Sequence, residues 1–138
     1  ANAIRTSHNP PAPELLELAD KMGILILDEV FDCWASGKNE NDYAVHYSEW
    51  HKKDIEALVC RDRNHPSVIM WSLGNEVEEQ YHPEKGVAAY LRDIVRLYDS
   101  TRPVTFGASY PGKSAINGTE LQVDVHGMNY PSGGVWRS

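Results

Sequence analysis

Short continuous apolar runs alternate along this chain with segments of helical periodicity, and no other feature of the sequence constrains the fold as much. Strands are predicted at residues 3–6, 24–27, 67–73, 102–106 and 123–130. Segments with apolar residues on one helical face lie between them, at residues 15–22, 48–59 and 87–98. A polar loop at residues 108–118 precedes the last strand. Apolar runs without alternation indicate strands buried on both faces, as in a parallel sheet covered by helices.

Two architectures fit this order of elements: a doubly wound open sheet, or part of a (β/α)8 TIM barrel. A complete barrel needs roughly 250 residues, so a chain of this length can hold about half to two thirds of one. The first strand begins at the start of the sequence, and no helix follows the last strand. These ends favour a fragment of a single (β/α)8 domain that spans residues 1–138.

Charge and composition exclude some classes of partner. The net charge is −7, with 20 acidic and 13 basic residues, which argues against binding of nucleic acid because that requires clustered Lys and Arg. No apolar run approaches the ~20 residues that a membrane-spanning helix needs, so no membrane partner is expected. Cys33 and Cys60 lack metal-ligand and disulfide spacing, and we predict that both are free thiols.

Polar side chains follow the predicted strands where each strand ends. In chain order they are Arg5 to His8, Asp28 and Glu29, Asn75 and Glu76, and finally His126, Asn129 and Tyr130. Barrel enzymes place their catalytic residues at this carboxyl end of the strands. The sequence has no Gly-x-Gly-x-x-Gly fingerprint, no P-loop and no nucleophile elbow, so a dinucleotide, nucleotide or Ser-His-Asp site is not expected.

Two stretches resemble the signatures of a known family. Residues 2–10 read Asn-Ala-Ile-Arg-Thr-Ser-His-Asn-Pro, and residues 62–76 read Asp-Arg-Asn-His-Pro-Ser-Val-Ile-Met-Trp-Ser-Leu-Gly-Asn-Glu. Both are similar to stretches of glycoside hydrolase family 2, which contains β-galactosidases, β-glucuronidases and β-mannosidases. The chain departs from the family at Asn9, where a tyrosine is common. The resemblance covers essentially the whole chain, and it implies a barrel whose second to sixth strands are present here.

The resemblance also implies roles for individual residues. Glu76 would be the general acid/base, and Asn75 would hydrogen-bond the 2-hydroxyl of the sugar. Arg5 would orient the nucleophilic carboxylate, with Tyr130 nearby. The sugar pocket would further be lined by His8, Asp28, Asp32, Trp34 and His126. Retaining hydrolysis by double displacement needs two carboxyl groups ~5–5.5 Å apart, and the acid must hold its proton near neutral pH.

The second carboxyl group is the part that the resemblance does not supply. In the family the nucleophile is a Glu after the seventh strand, whereas this chain ends after the sixth. Glu29 is the only candidate at a strand end within the chain. We therefore expect the full-length parent to hydrolyse terminal β-glycosides and the isolated chain to be inactive. A β-galactoside is the favoured substrate. The alternative substrates are a β-glucuronide and a β-mannoside. The alternative class of protein is a non-catalytic carbohydrate-binding module.

Some of these residues also fit structural roles. Arg5 could form an ion pair with Asp28 or Glu29, and the two acids could form a hydrogen-bond network at the edge of the core. No cofactor is expected to be required. A divalent cation occurs near the acid/base in some relatives, but no compact ligand spacing supports one here. The expected partners are a carbohydrate, the rest of the parent chain and, through unpaired sheet edges, a second copy in a homo-oligomer.

Overall fold

The computed structural model describes residues 1–109 and 117–130, and a parallel sheet of five strands organises them. The strands are β1 (Ala3–Arg5), β2 (Leu25–Glu29), β3 (Val68–Asn75), β4 (Val104–Ala108) and β5 (Gly127–Met128). Each strand pairs in parallel with the next along the chain, so the spatial order is β1-β2-β3-β4-β5. A doubly wound sheet reverses its strand order at a switch point, and this sheet does not. The sequential order is that of neighbouring barrel strands, which confirms the partial barrel.

Three α-helices connect the strands: α1 (Pro13–Met22), α2 (Ala44–Asp62) and α3 (Val87–Tyr98). Short 3₁₀ turns at Glu78–Tyr81 and Pro83–Lys85 lie between β3 and α3, and a third at Thr119–Gln122 precedes β5. Helix α1 starts at Pro13, where the missing N–H costs nothing. It ends at Gly23, whose φ of 69° is left-handed.

The hydrophobic core lies between the sheet and these helices. Its fully buried members come from every layer, and they include Leu16, Ile26, Ile55, Leu73, Leu91 and Phe106. Truncating a buried Leu or Ile to Ala typically costs about 2–5 kcal/mol, so the helices hold the sheet firmly from that side. In the described part of the chain, no helix is long and apolar enough to cross a membrane.

Helix α2 begins at Ala44, four residues before the predicted start at Ser48. The Asp42 carboxylate accepts hydrogen bonds from the backbone N–H groups of Lys38, Asn39 and Ala44. This side chain therefore closes the preceding loop and supplies a partner for an N–H in the first turn, where helical donors have none. The sequence pattern showed only the apolar face of the helix, which starts later.

The last strand is much shorter than the predicted range of 123–130. The Asp124 carboxylate accepts a hydrogen bond from the Val104 N–H at 2.9 Å, which takes the position of a strand partner. Ladder pairing with β4 starts only at Gly127, opposite Gly107. Of the predicted loop at 108–118, residues 110–116 lie outside the described part of the chain.

Candidate active site

Arg5, the last residue of β1, joins four strand ends through its guanidinium group. Nε donates to Glu29 Oε2 at 2.8 Å, and Nη2 donates to Asn75 Oδ1 at 2.9 Å. Nη1 donates to Asn129 Oδ1 at 3.1 Å. Because parallel strands bring their carboxyl ends to one edge of the sheet, residues far apart in sequence meet here. Arg5 forms an ion pair with an acid of β2, which was the alternative structural role for this residue, and the partner is Glu29.

Glu29 is fully buried, and its carboxylate is held by several donors. Besides Arg5, the His8 ring places Nδ1 2.7 Å from Oε1, and Ser72 Oγ lies 2.5 Å from Oε2. A carboxylate only accepts, so Nδ1 of His8 carries hydrogen in this contact. A nucleophile must reach its substrate, and a carboxylate surrounded in this way has no open side. Glu29 therefore anchors Arg5 and does not fit the role of the nucleophile.

Asn75 and Glu76 stand where β3 ends. Asn75 Oδ1 accepts from Arg5 and from Asn129 Nδ2, the latter at 2.9 Å. Arginine has only donors, which fixes the amide oxygen of Asn75 toward Arg5 and turns its NH2 group toward Asp32 Oδ1, 3.4 Å away. Asn75 thus presents a hydrogen-bond donor on the side away from Arg5.

The Glu76 carboxyl group is half-buried, and its Oε1 accepts a hydrogen bond from Asn129 Nδ2 at 2.8 Å. The backbone of Glu76 is left-handed, with a φ of 46°, and its N–H donates to the Gly107 carbonyl at 2.6 Å. Left-handed backbone is uncommon outside glycine and is worth attention at functional positions. Here it ends the strand and places the acid next to Asn75 and Asn129.

Two glycines make room for these side chains. A Cβ atom on Gly107 would lie 2.6 Å from Arg5 Nη2, and one on Gly74 would lie 2.7 Å from the indole nitrogen of Trp34. Both distances are far inside van der Waals contact. The inner side of the sheet holds a cavity of about 150 Å³ beside Arg5, which is lined also by Ser72, Gly107 and Asn129.

Lys38 belongs to this site, although sequence reasoning did not identify it. Its Nζ donates to Asp32 Oδ1 at 2.7 Å, to the Asp32 carbonyl at 3.0 Å and to the Asn75 carbonyl at 2.6 Å. These contacts tie the loop after β2 to the end of β3. Lys38 lies in a polar loop far from any predicted strand end, so periodicity gives no signal for it.

The other residues predicted to line the site differ in their exposure and in their hydrogen-bond partners. Asp32 has a side chain that is 34% exposed and paired with Lys38, so one of its sides stays open. His8 reaches the site through Glu29. His126 is half-buried just before β5, and Tyr130 is 74% exposed two residues after it. The structure thus brings Arg5, Asn75 and Glu76 into one hydrogen-bonded cluster.

The expectation that Asp28 lines the sugar pocket is wrong. Its side chain is fully buried on the side of β2 that faces α2, where it lies near Asp62, and Thr6 Oγ1 approaches it at 3.4 Å. Burial first, and then the Asp62 carboxyl, raise the pKa of Asp28 well above its usual range. Side chains alternate along a strand, so Asp28 and Glu29 cannot both face the site.

Trp34 does not line the pocket either. The indole is 1% exposed, donates from Nε1 to the Leu73 carbonyl at 2.8 Å, and packs against the Phe106 ring. A tryptophan that contacts a sugar needs a free ring face, and this ring is enclosed beneath the end of β3. Its contribution is to support the strand that carries the acid.

Asn129, which follows β5, is the central residue to which the sequence assigned no role. It was visible only as a polar residue at a strand end, and its contacts to Arg5, Asn75 and Glu76 emerge from the parallel sheet. Residues 1–109 and 117–130 contain no cluster of three or more His, Cys, Asp or Glu that could hold a metal ion. Cys33 is buried and Cys60 exposed, and both are free thiols as predicted.

Residues 1–132 match the family model of the glycosyl hydrolases family 2 TIM barrel domain. The chain is similar to the β-galactosidase BoGH2A of Bacteroides ovatus, at 39% identity over 94% of the chain and 19% of that protein. It is also similar to a β-glucuronidase of Paenibacillus borealis, at 41% identity over 76% of the chain and 19% of that protein.

A solved structure of a glycosyl hydrolase family 2 member from Bacteroides cellulosilyticus superimposes with a TM-score of 0.88. It is 42% identical to this chain, of which 94% is covered, and the match covers 17% of that structure. The chain therefore spans about a fifth of the length of the proteins it matches.

Proposed function

This chain belongs to glycosyl hydrolase family 2, and from that premise we propose that the whole protein hydrolyses terminal β-glycosides with retention of configuration, with Glu76 as its general acid/base. The observation that carries the proposal is the position of the Glu76 carboxyl group. It stands at the carboxyl end of a central strand, next to Asn75, and is hydrogen-bonded by Asn129.

In the proposed reaction Glu76 acts twice, first as an acid and then as a base. Glu76 protonates the leaving oxygen while a second carboxylate attacks the anomeric carbon, and Glu76 then removes a proton from the water that releases the sugar. Asn75 presents its NH2 group away from Arg5, which suits a hydrogen bond to the sugar hydroxyl next to the anomeric carbon. Hydrogen bonds of this hydroxyl to the site can strengthen in the transition state and so contribute to catalysis.

The second carboxylate is proposed to lie outside this chain, after a later strand of the barrel. Glu29 is the other glutamate at a strand end here, and its burial and its bonds to Arg5, His8 and Ser72 give it an anchoring role. The Arg5 guanidinium is held by Glu29, Asn75 and Asn129, and it lies beside the inner cavity. A guanidinium in that position would keep an incoming carboxylate ionised and in place.

We propose a β-galactoside as the substrate, because the relative that covers 94% of the chain is named a β-galactosidase. A β-glucuronide is the second candidate, since relatives at 38–41% identity are named β-glucuronidases. A carbohydrate-binding module without turnover is the candidate from another class. It would show binding without hydrolysis.

The test uses the full-length protein that contains these residues and a panel of aryl β-galactosides, β-glucuronides and β-mannosides. Glu76→Gln should lower kcat/KM for the phenyl glycoside by at least about a hundredfold, the range of general acid catalysis. The matched control is Glu78→Gln, an exposed residue two positions on, which should stay within about twofold. Proton NMR should detect the β-anomer as the first product. Hydrolysis that is equally fast in both variants would refute the role of Glu76.

A further inference from the structure

The Asn129 side chain lies between the acid and the arginine, and its orientation is determined by its neighbours. Its Oδ1 accepts from Arg5 Nη1 at 3.1 Å, and Arg5 has no acceptor atoms. The NH2 group of Asn129 must therefore face the other way. It donates to Glu76 Oε1 at 2.8 Å and to Asn75 Oδ1 at 2.9 Å.

This orientation distinguishes the two oxygens of Glu76. In a protonated carboxyl group one oxygen carries the proton, and the other, the carbonyl oxygen, is the better acceptor. Oε1 faces an N–H donor that is itself fixed in place by Arg5. The acid form that fits this donor has its proton on Oε2.

We propose that Asn129 is a positioning residue that holds Glu76 in one orientation and places the transferable proton on Oε2. This inference rests on the proposed glycosidase function, since a transferable proton has a role only if Glu76 protonates a leaving group. The chain of contacts is continuous: buried Glu29 orients Arg5, Arg5 orients Asn129, and Asn129 orients Glu76.

The position of Asn129 in the fold supports this role over simple packing. Its own backbone N–H donates to the Ala108 carbonyl at 3.0 Å, so its main chain is held by β4. The side chain is thereby free to extend across the strand ends toward β3 and β1. A misplaced catalytic group can cost about a hundredfold in rate, so the acid needs such a support beyond its own strand.

The test compares leaving groups in the full-length protein. A dinitrophenyl glycoside departs with little help from an acid, whereas a phenyl glycoside needs the proton. For Asn129→Ala we expect kcat/KM to fall at least about tenfold with the phenyl glycoside and less than about threefold with the dinitrophenyl glycoside. Asn64→Ala is the matched control, because Asn64 is exposed at the opposite end of the sheet and both rates should be unchanged.

Asn129→Asp distinguishes the role of the amide oxygen, which contacts Arg5, from that of the NH2 group, which contacts Glu76. It keeps an oxygen for Arg5 and replaces the donor to Glu76 by an acceptor, so the same loss on the phenyl glycoside is expected. Wild-type rates in Asn129→Asp would show that the residue only holds Arg5, and would overturn the proposal. Equal losses on both glycosides in either variant would overturn it as well. If Asn129→Ala fails to fold, Asn129→Asp is the variant that decides.

Crystal structures of the same variants provide a readout that does not depend on activity. We expect the Glu76 carboxyl group to leave its wild-type orientation in Asn129→Ala and to keep it in Asn64→Ala. An unmoved Glu76 in Asn129→Ala would overturn the positioning role. If the wild-type protein hydrolyses no β-glycoside, the proposed function fails, and these structures still decide whether Asn129 orients Glu76.

Discussion

Replacing Glu29 by glutamine should lower the stability of the fold, because this buried carboxylate is the anchor of Arg5. Its Oε2 accepts from Arg5 at 2.8 Å and from Ser72 at 2.5 Å, and its Oε1 faces His8 at 2.7 Å. A glutamine can keep its oxygen toward Arg5 and Ser72 and turn its NH2 group toward His8, whose ring then accepts at Nδ1 in its other tautomer. The geometry is then nearly preserved, and what is lost is the charge.

The loss of stability in Glu29→Gln follows from the number of hydrogen bonds whose acceptor is no longer charged. Hydrogen bonds to charged groups contribute about 1.5–3 kcal/mol, and neutral ones about 0.5–1.5 kcal/mol. The bonds from Arg5 and Ser72 each weaken by about 1 kcal/mol when the acceptor loses its charge. Glu29→Gln should therefore lose about 2 kcal/mol in the free energy of unfolding. Glu29→Ala removes the partner altogether and leaves the cation of Arg5 without its buried counter-ion, which costs about 3–5 kcal/mol.

Thermal unfolding of the chain, followed by circular dichroism at neutral pH, measures this loss. For a chain of this size 1 kcal/mol corresponds to about 3 °C, so the melting temperature of Glu29→Gln should fall by about 6 °C. Glu17→Gln on the exposed side of α1 is the matched control, and it should change stability by less than about 0.5 kcal/mol. If the two variants melt together, Glu29 does not anchor the site and the reasoning is refuted.

Further predictions concern the packing and charge around the same site. Gly107→Ala places a methyl group 2.6 Å from Arg5 Nη2, so we expect a loss of about 1–3 kcal/mol in stability and a displaced guanidinium in its crystal structure; an unmoved Arg5 would contradict this. Lys38→Met removes three hydrogen bonds that tie the loop after β2 to the end of β3. It should lower kcat/KM of the full-length protein about tenfold, while Lys85→Met, an exposed change, leaves it unaltered. Because the pKa of Asp28 is raised in the folded state above its ordinary 3.8, folding favours the protonated form, and stability should fall as the pH rises above about 4. The melting temperature of Asp28→Asn should therefore exceed that of the wild type by a margin that grows between about pH 4 and about pH 8, and a constant margin over that range would contradict the assignment.

Sequence patterns were sufficient for the fold because each strand is a continuous apolar run and each helix has one apolar face. Residues such as Ile26, Val68 and Val104 are buried between sheet and helices in any parallel arrangement, so their position depends little on detail. The family signatures then located Asn75 and Glu76, since these residues follow directly on β3. Helix and strand ends were less predictable because side chains such as Asp42 and Asp124 determine them through hydrogen bonds to the backbone.

The errors at the site have a common physical cause. Neighbouring residues of a strand point to opposite faces of the sheet. A sequence motif does not say which face each of its side chains occupies. Asp28 was expected in the pocket and lies under α2, whereas Glu29, its neighbour, holds Arg5. Lys38 and Asn129 come from segments distant in sequence from Asn75 and Glu76, and only the assembled sheet brings them to the end of β3.

Chemical rescue of Glu76→Ala tests the central claim most directly. In the full-length protein, this variant should form the glycosyl-enzyme from a dinitrophenyl β-glycoside and then release it slowly, because no base activates water. Azide needs no base, so added azide should accelerate turnover and yield a glycosyl azide of β-configuration. Absence of any acceleration, or a product of α-configuration, would contradict the assignment of Glu76 as the acid/base of a retaining glycosidase.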